Sequence, residues 1–272
     1  ALPIFFQKYR VVCTDTRKIT EGCLFFALKG PRFNGNAFVA SALEKGAAFA
    51  VIDEEEYQTD ERCILVDDVL TFLQQLGLYH RRQLNLPVLA ITGSNGKTTT
   101  KELCHAVLSE GMKTSATKGN LNNHIGIPLT LLDVEDDTEL AIVEMGANHQ
   151  GEIASYCTYV EPNFGLITNV GKAHLEGFGG EEGVRKGKGE LYRFLEKSDG
   201  LVFLNGSQKH LPQMAEGIRQ KAWYGRAEAG DFPVTGTVIG NVPFLSVEIQ
   251  SGEDVFQIDT QLVGEYNLDN IL

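Results

Sequence analysis

The sequence predicts an α/β protein of two domains, the first small and the second larger. At 272 residues the chain can bury two cores, and its 43% hydrophobic and 22% charged residues are ordinary for a globular protein. Short apolar runs of strand length alternate with segments of helical spacing along the chain. Pro87 cannot continue the helical segment that precedes it, so we expect domains at 1–84 and 85–272.

Charge and cysteine content exclude several classes of protein. Lys and Arg number 24 against 36 Asp and Glu, and the net charge of −12 disfavours a nucleic-acid partner. The five cysteines are scattered without a C-x-x-C pair, which argues against a disulfide framework or a zinc site. No run approaches the ~20 apolar residues of a membrane span. We therefore expect a cytoplasmic protein without membrane association, and we take it to be a monomer.

In the first domain, the sequence pattern predicts strands at 11–13, 24–28, 48–52 and 64–66 and helices at 38–45 and 69–84. Asp15 and Arg17 follow the first strand, and Lys29 and Arg32 follow the second. Ligands bind at the carboxyl ends of strands in open α/β sheets, so these groups indicate a pocket for a polar, phosphorylated substrate. A solvated surface turn is the alternative.

The second domain opens on a strand, a glycine loop and a helix. The buried run 88–91 leads into TGSNGKTTT at 92–100, and helical spacing follows at 101–108. Glycines let backbone N–H groups approach phosphate oxygens, Lys97 supplies a positive charge, and the Thr98 hydroxyl can bind magnesium. Ile91 stands where the longer P-loop pattern has its first glycine. An ordinary glycine turn before a helix is the alternative.

Two loops after this motif could contribute to the same site. The segment 118–128 is rich in Asn and Gly and can present amide groups to a ligand, and a structural turn is the alternative. Glu144 ends a buried strand at 140–144, and a buried carboxylate needs a cation or a partner. Beside the phosphate loop, Glu144 would be a magnesium ligand.

The remaining segments add one histidine and two lysines. His174 follows a predicted strand at 164–170, and it is either a metal ligand or a solvated loop residue. A helix is predicted at 183–194, where glycines suggest a close approach of another segment and where Lys186 and Lys188 could form a solvated face. A strand at 200–205 precedes alternating runs at 234–239, 244–249 and 255–262, which predict an antiparallel edge to the sheet.

Taken together, these motifs resemble the Mur ligase family along essentially the whole chain. The matching segments are DTR at 15–17, LFFALKG at 24–30, TGSNGKTTT at 92–100, NLNNHIGIP at 120–128, EMGANHQGEI at 144–153, AHLEGFG at 173–179, KGKGELY at 186–192 and GEYNLDN at 264–270. The resemblance implies a small UDP-sugar-binding domain followed by a P-loop-type ATPase domain with a mostly parallel sheet and antiparallel edge strands.

The resemblance also implies roles for individual residues. The expected ATP-binding residues are Gly93, Ser94, Asn95, Gly96, Lys97, Thr98, Thr99, Asn122, Asn123 and Asn270, with Asn270 at the adenine. The expected magnesium site is formed by Thr98, Glu144, His174 and Lys188, of which Lys188 resembles a lysine that is carbamylated in many members. Lys97, Lys188 and His174 are the expected catalytic residues, and Asp15, Thr16, Arg17 and Lys29 would contact the UDP-sugar. Tyr266 replaces the usual histidine of the family.

The activity implied is ATP-dependent amide ligation through an acyl phosphate, with Mg²⁺. The asparagine loop and the run at 146–152 point to the member that joins UDP-N-acetylmuramoyl-tripeptide to D-alanyl-D-alanine in peptidoglycan synthesis. The alternatives are a sibling that adds the third stem residue, a folylpolyglutamate synthase, or a non-catalytic nucleotide-binding module. The family's third domain, which binds the incoming amino acid or dipeptide, does not match any segment, so we expect a fragment that is inactive alone.

Overall fold

The computed structural model describes residues 6–172 and 174–272, which divide into two compact units. The first unit comprises the chain up to Asn85 together with His124–Asp136, and the second comprises Leu86–Asn123 and Asp137–Leu272. The first division falls one residue after the predicted boundary. Residues 124–136 belong to the first unit. The predicted domains at 1–84 and 85–272 place them in the second.

The strands are β1 Val12–Cys13, β2 Leu24–Phe26, β3 Lys29–Gly30, β4 Phe33–Asn34, β5 Phe49–Ile52, β6 Cys63–Leu65, β7 Val88–Thr92, β8 Thr114–Ala116, β9 Leu140–Glu144, β10 Phe164–Ile167, β11 Leu201–Asn205, β12 Gln220–Arg226, β13 Val234–Gly240, β14 Ser246–Ser251 and β15 Asp254–Asp259. The α-helices are α1 Val39–Glu44, α2 Val69–Leu84, α3 Lys97–Leu108, α4 Gly126–Leu132, α5 Glu152–Val160, α6 Leu175–Phe178, α7 Glu181–Lys188, α8 Glu190–Ser198, α9 Leu211–Met214 and α10 Leu268–Ile271. Within the described ranges, no helix is both long enough and apolar enough to cross a membrane.

The first unit is a parallel sheet with a core on each face. Its strand order is β1-β2-β5-β6, and every neighbouring pair is parallel. Side chains alternate along β2, so Phe25 lies in the core beneath α1, whereas Leu24 and Phe26 lie in the core with α2. The carboxyl ends of these strands share one edge of the sheet.

Segment 124–136 belongs to the first unit because it packs along α2. Gly77 of α2 faces the backbone of Pro128, where an added Cβ would lie 3.3 Å from the Pro128 Cα. His80 Nε2 is 2.9 Å from the Val134 carbonyl, and Arg10 Nη2 donates to both carboxylate oxygens of Asp136 at 2.7 Å. These contacts join residues that are far apart in the chain, so they cannot be predicted from the local sequence of the segment.

The second unit contains a nine-stranded sheet that confirms the predicted fold class. Its order is β15-β14-β13-β12-β11-β10-β7-β9-β8. Across the sheet from β13 to β8, every neighbouring pair of strands is parallel. The pairs β13–β14 and β14–β15 are antiparallel and form the expected edge. β7 lies between β9 and β10, so the loop after β7 is flanked by the ends of both neighbours.

Several predicted elements differ from the structure. β10 ends at Ile167 rather than at residue 170, because residues 168–171 leave the sheet to bind the glycine loop. The helix predicted at 183–194 is two helices that meet at Gly189. Neither β12 nor α5 was predicted from the sequence.

Candidate functional site

The glycine loop is held in place by the segment that follows β10. The Asn95 carbonyl accepts from Thr168 Oγ1 at 2.6 Å and from Asn169 Nδ2 at 3.0 Å, and Asn95 N donates to Asn169 Oδ1 at 3.1 Å. Ser94 Oγ accepts from Gly171 N at 2.9 Å. The apolar run at 164–170 predicts a strand through residue 170, so this role of 168–171 was not predicted, although polar residues just past a strand end are where ligand-binding loops lie in such sheets.

Lys97 begins α3 and folds over the loop. Its Nζ donates to the carbonyls of Gly93 at 2.9 Å and Ser94 at 3.1 Å. Burial lowers the pKa of Lys97, and the opposite charge of Glu144 offsets part of that effect. Beside it Thr98 is exposed and Thr99 is half-buried, so the Thr98 hydroxyl is accessible to a ligand. The Lys97 ammonium group can exchange its hydrogen bonds to the loop carbonyls for hydrogen bonds to phosphate oxygens at small cost.

Glu144 ends β9 beside this loop and is 1% exposed. Its Oε1 accepts from Asn122 Nδ2 at 2.7 Å, and its backbone N donates to Thr117 Oγ1 at 2.9 Å. Its Oε2 is buried and has no hydrogen-bond partner within the described protein. A buried carboxylate oxygen without a partner is costly, and a hard cation is the ligand that would satisfy it. Glu144 Oε2 is therefore suited to bind Mg²⁺.

Lys188 ends α7 and is 2% exposed. Its Nζ donates to the Ala147 carbonyl at 3.2 Å and lies 5.1 Å from the centroid of the Phe178 ring. Burial, followed by the charge of Lys97, lowers the pKa of Lys188 to about 8. A buried amine that loses its proton this readily is suited to nucleophilic modification.

Two carboxylates whose role was not predicted from the sequence bind the loop that carries Ala147. Glu152 Oε2 accepts from the backbone N–H groups of Asn148 at 2.6 Å and His149 at 2.9 Å. Glu190 reaches across from α8 and accepts from Gly151 N at 2.6 Å and Ala154 N at 2.8 Å. Both carboxylates satisfy free N–H groups at or just before the start of α5, where negative charge is favourable.

His174 lies just before α6 in the left-handed conformation, with φ of 54°, and is exposed. In the part of the chain that the structure describes, its ring is not within hydrogen-bonding distance of Glu144. No group of three or more His, Cys, Asp or Glu side chains in residues 6–172 and 174–272 is arranged to hold a metal ion. Such sparse protein ligation is compatible with Mg²⁺, which keeps waters and phosphate oxygens in its shell. Asn123 is exposed and follows Asn122.

In the first unit, the predicted substrate residues are paired with acidic groups. Arg17 forms a bidentate pair with Asp15 through contacts of 2.9 and 2.7 Å, with Thr16 between them. Lys29 Nζ is 3.1 Å from Asp53 Oδ1 and 3.4 Å from Glu54 Oε1. The side chain of Arg17 is 85% exposed, so water screens its pair strongly. Both cations would have to exchange these partners to bind a phosphate.

A parallel sheet with a strand, glycine loop and helix at its centre, beside a buried carboxylate, defines the second unit as a P-loop-type domain. Residues 91–272 match the family model described as the Mur ligase middle domain, and residues 8–81 match the model described as the Mur ligase family, catalytic domain. The chain belongs to the Mur ligase family. This confirms the resemblance drawn from the sequence.

Two curated relatives carry the same name. The UDP-N-acetylmuramoyl-tripeptide–D-alanyl-D-alanine ligase of Bacillus subtilis strain 168 is 42% identical to this chain, over 81% of this chain and 48% of the relative. The ligase of the same name from Escherichia coli strain K12 is 38% identical to this chain, over 96% of this chain and 58% of the relative. The crystal structure of MurF ligase from Thermotoga maritima in complex with ADP superposes with a TM-score of 0.85 at 27% identity, over 96% of this chain and 61% of that one. The chain spans about half the length of the curated relatives it matches.

Proposed function

We propose that this chain forms the UDP-substrate and ATP-binding parts of an ATP-dependent ligase that adds D-alanyl-D-alanine to UDP-N-acetylmuramoyl-tripeptide. The names of relatives at 42% and 38% identity support the substrates. The observation that carries the chemistry is the buried, unsatisfied Glu144 oxygen, which lies near the charge of Lys97 beside the glycine loop. A carboxylate and a lysine at a glycine loop suit phosphoryl transfer.

In this proposal the loop binds the triphosphate of ATP. The N–H groups of residues 93–99 bind phosphate oxygens, and Lys97 moves from the loop carbonyls to the transferred phosphate. Thr98, Glu144 and His174 would hold Mg²⁺, which neutralises charge on the triphosphate when it is bound. Asn122 orients the Glu144 carboxylate, and Asn123 lies next to it. A relative solved in complex with ADP supports an adenine nucleotide.

Lys188 has a supporting role in the proposal. Its low pKa makes the neutral amine accessible near neutral pH, so CO₂ can add to Nζ and form a carbamate with loss of a proton. The resulting anion would support a second Mg²⁺. Lys188→Ala should then lose activity in the full-length enzyme, and short carboxylic acids should restore part of it. Full activity without added acid would show that Lys188 is dispensable.

The reaction proposed for the full-length enzyme has two steps. The carboxylate of the UDP-tripeptide attacks the γ-phosphorus of ATP and releases ADP, and the amine of D-alanyl-D-alanine then displaces phosphate from the acyl phosphate to form the amide. Neutralising charge between carboxylate and triphosphate is the main task, and Lys97 serves it directly. The first unit, with Asp15, Thr16, Arg17 and Lys29 at its sheet edge, is proposed to hold the UDP-sugar.

Phosphate release tests this function. It should be measured on full-length protein containing this chain, and on the chain itself, with ATP, UDP-tripeptide and D-alanyl-D-alanine. We expect release from the full-length protein only when both substrates are present, and loss of release on Lys97→Ala. Equal release with a UDP-dipeptide and a free third-residue amino acid, or with folate and glutamate, would overturn the assignment in favour of a sibling ligase.

A further inference from the structure

Lys101 is a buried cation on α3 that the proposed chemistry does not use. It lies four residues after Lys97, so the two side chains leave the same face of the helix. Its side chain is 1% exposed, and its Nζ donates to the Thr117 carbonyl at 2.7 Å and lies 2.6 Å from Glu102 Oε1. Burying an ammonium group is costly, and an apolar side chain of similar length would fill the space without that cost. The amine, however, ties α3 to one particular backbone atom.

The residue that Lys101 binds is itself fixed to the end of β9. Thr117 follows β8, and its N–H donates to the Ile142 carbonyl at 3.0 Å. Its Oγ1 accepts from the backbone N of Glu144 at 2.9 Å, and the whole residue is 1% exposed. Lys101 therefore holds the residue against which the backbone of Glu144 is placed.

The segment that begins at Thr117 reaches Glu144 a second time through Asn122. Asn122 Nδ2 donates to Glu144 Oε1 at 2.7 Å, and the Asn122 carbonyl accepts from Gly146 N at 2.7 Å. Segment 117–122 thus contacts Glu144 at its backbone through Thr117 and at its carboxylate through Asn122.

The residue before Lys101 contacts a different part of the proposed site. Thr100 Oγ1 donates to Oδ1 of Asn270, the expected adenine-binding residue, at 3.3 Å, and Asn270 Nδ2 donates to Asn267 Oδ1 at 2.8 Å. A donor hydrogen and an acceptor lone pair of the Asn270 amide are still available to a base. Removing the amine of Lys101 should therefore leave the expected base contact in place.

We propose that Lys101 is a positioning residue that sets Glu144 relative to Lys97 by tying α3 to segment 117–122. The helix carries Lys97 at its start and the segment orients the carboxylate, so this contact joins the phosphate-binding helix to the expected Mg²⁺ ligand. The proposal rests on the nucleotide and Mg²⁺ binding proposed above. Loss of the contact should weaken the gain in nucleotide affinity that Mg²⁺ provides and should spare binding without Mg²⁺.

Calorimetric titration of the chain with ADP, with and without Mg²⁺, tests this role. Lys101→Met keeps the length of the side chain and removes the charged donor. We expect the gain in ADP affinity from Mg²⁺ to fall by about fivefold, as for one hydrogen bond, while the affinity without Mg²⁺ stays within about twofold of the parent. An undiminished gain would overturn the proposal, and so would equal losses with and without Mg²⁺.

A double variant separates positioning from general stabilisation. If Lys101 acts through Asn122, Lys101→Met should reduce the Mg²⁺ gain little further once Asn122→Ala has removed the group that orients Glu144. We expect the double variant to lie within about twofold of Asn122→Ala. Losses that multiply would show two independent effects and would overturn the proposed route.

Lys113→Met is the matched control. Lys113 lies just before β8, its side chain is 45% exposed, and its Nζ donates to Asp137 Oδ1 at 2.5 Å. Its loss should leave the Mg²⁺ gain within about twofold of the parent, and an equal loss at both lysines would overturn the specific role of Lys101. Lys101→Gln, which ends one bond short of the amine, should repeat the loss seen in Lys101→Met. If neither Lys101 variant folds, Lys101 serves the fold as a whole and the proposal is overturned.

Hydrogen exchange gives a readout that requires no ligand. The amides of Glu144 and Gly146 donate to segment 117–122, so they should exchange faster in Lys101→Met than in the parent, while β7 keeps its protection. Unchanged exchange at both amides would overturn the proposal. Absence of ADP binding or of a Mg²⁺ gain in the parent would overturn the proposed function as well, whereas a gain that persists in Lys101→Met removes this inference alone.

Discussion

Asn122 Nδ2 donates to Glu144 Oε1 at 2.7 Å, whereas Oε2 of the same buried carboxylate has no partner within the described protein. One oxygen is thus oriented by the protein and the other is left for a ligand. The nearby positive charge of Lys97 offsets part of the cost of burying this carboxylate. The hydrogen bond from Asn122 therefore orients the Glu144 carboxylate and determines which of its two oxygens is available to a ligand.

Glu144→Gln should sharply reduce the effect of Mg²⁺ on nucleotide binding. The amide is nearly isosteric, but it removes the negative charge that a hard cation requires. We expect Mg²⁺ to raise the affinity for ADP in the parent, and this gain to fall by about tenfold or more in the variant, as for loss of a contact to a charged group. Calorimetry with and without Mg²⁺ measures it. Glu139→Gln, an exposed glutamate just before β9, is the matched control. A full Mg²⁺ effect in Glu144→Gln would exclude this residue as a ligand.

Lys188→Met should stabilise the fold at neutral pH. Burial lowers the pKa of Lys188 from 10.5 to about 8, so below pH 8 both folded and unfolded chains hold the proton and the folded chain bears the cost of burying it. That cost is about 3 kcal/mol at most, at 1.36 kcal/mol per pKa unit. As pH rises from about 8 towards 10.5 the folded state releases the proton first, and the advantage of the variant should shrink.

Urea unfolding in CO₂-free buffer between pH 6.5 and 10 measures this difference. Lys186→Met is the control, because Lys186 is exposed and pairs with Glu182 at 3.1 Å on the same helix. Its difference from the parent should stay small across this range. A Lys188→Met advantage that is absent at pH 7, or that grows with pH, would contradict the assigned cause.

Local sequence signals located some elements with accuracy. The helix predicted at 69–84 has the same bounds in α2, because Asp68 caps its first turn by accepting from Thr71 N at 2.6 Å and Asn85 ends it in the left-handed conformation before Pro87. The glycine loop was equally readable, since strand, small residues and Lys-Thr lie next to one another in the chain. Both signals depend on residues close in sequence.

Tertiary contacts account for what the sequence did not reveal. Asn169 holds the glycine loop from 74 residues away, and Arg226 reaches Asp269 across 43 residues. No periodicity marks such pairs. The break at Gly189 is slight, because Gly189 itself keeps right-handed helical angles, with φ of −63° and ψ of −10°, between α7 and α8. The predicted glycine-mediated close approach is confirmed, but only the structure identifies Phe178 as the partner.

Gly183→Ala should destabilise the second unit. A Cβ at this position would lie 1.8 Å from the Phe178 carbonyl oxygen, and backbone cannot move aside cheaply. Overpacking of this kind costs about 1–3 kcal/mol, which exceeds the ~1 kcal/mol that alanine gains over glycine in a helix. Urea unfolding measures the change. Gly111→Ala, where the added Cβ meets nothing within 4 Å, should be neutral or slightly stabilising. Equal stability of the two variants would show that α6 and α7 do not pack as described.

Lys29→Ala should make the first unit more sensitive to acid. Burial alone would raise the pKa of Asp53, but hydrogen bonds from Asn36 and Lys29 outweigh it and leave that pKa below its ordinary value. A carboxylate with a lowered pKa contributes stability above the unfolded value near 4, and this stability is lost as pH falls through the folded pKa. Without Lys29 the Asp53 pKa rises, so the midpoint of acid unfolding should move to higher pH.

Circular dichroism between pH 2 and 7 locates that midpoint, with Lys45→Ala as the control. Lys45 is also exposed, but its Nζ donates to the Thr16 carbonyl rather than to a carboxylate, so its loss should leave the midpoint in place. Coincident midpoints for Lys29→Ala and the parent would show that the contacts of 3.1 and 3.4 Å to Asp53 and Glu54 contribute nothing to stability. Lys29 would then be free to exchange both carboxylates for a substrate phosphate at little cost. A shifted midpoint would mean that substrate binding at Lys29 has to compete with the fold.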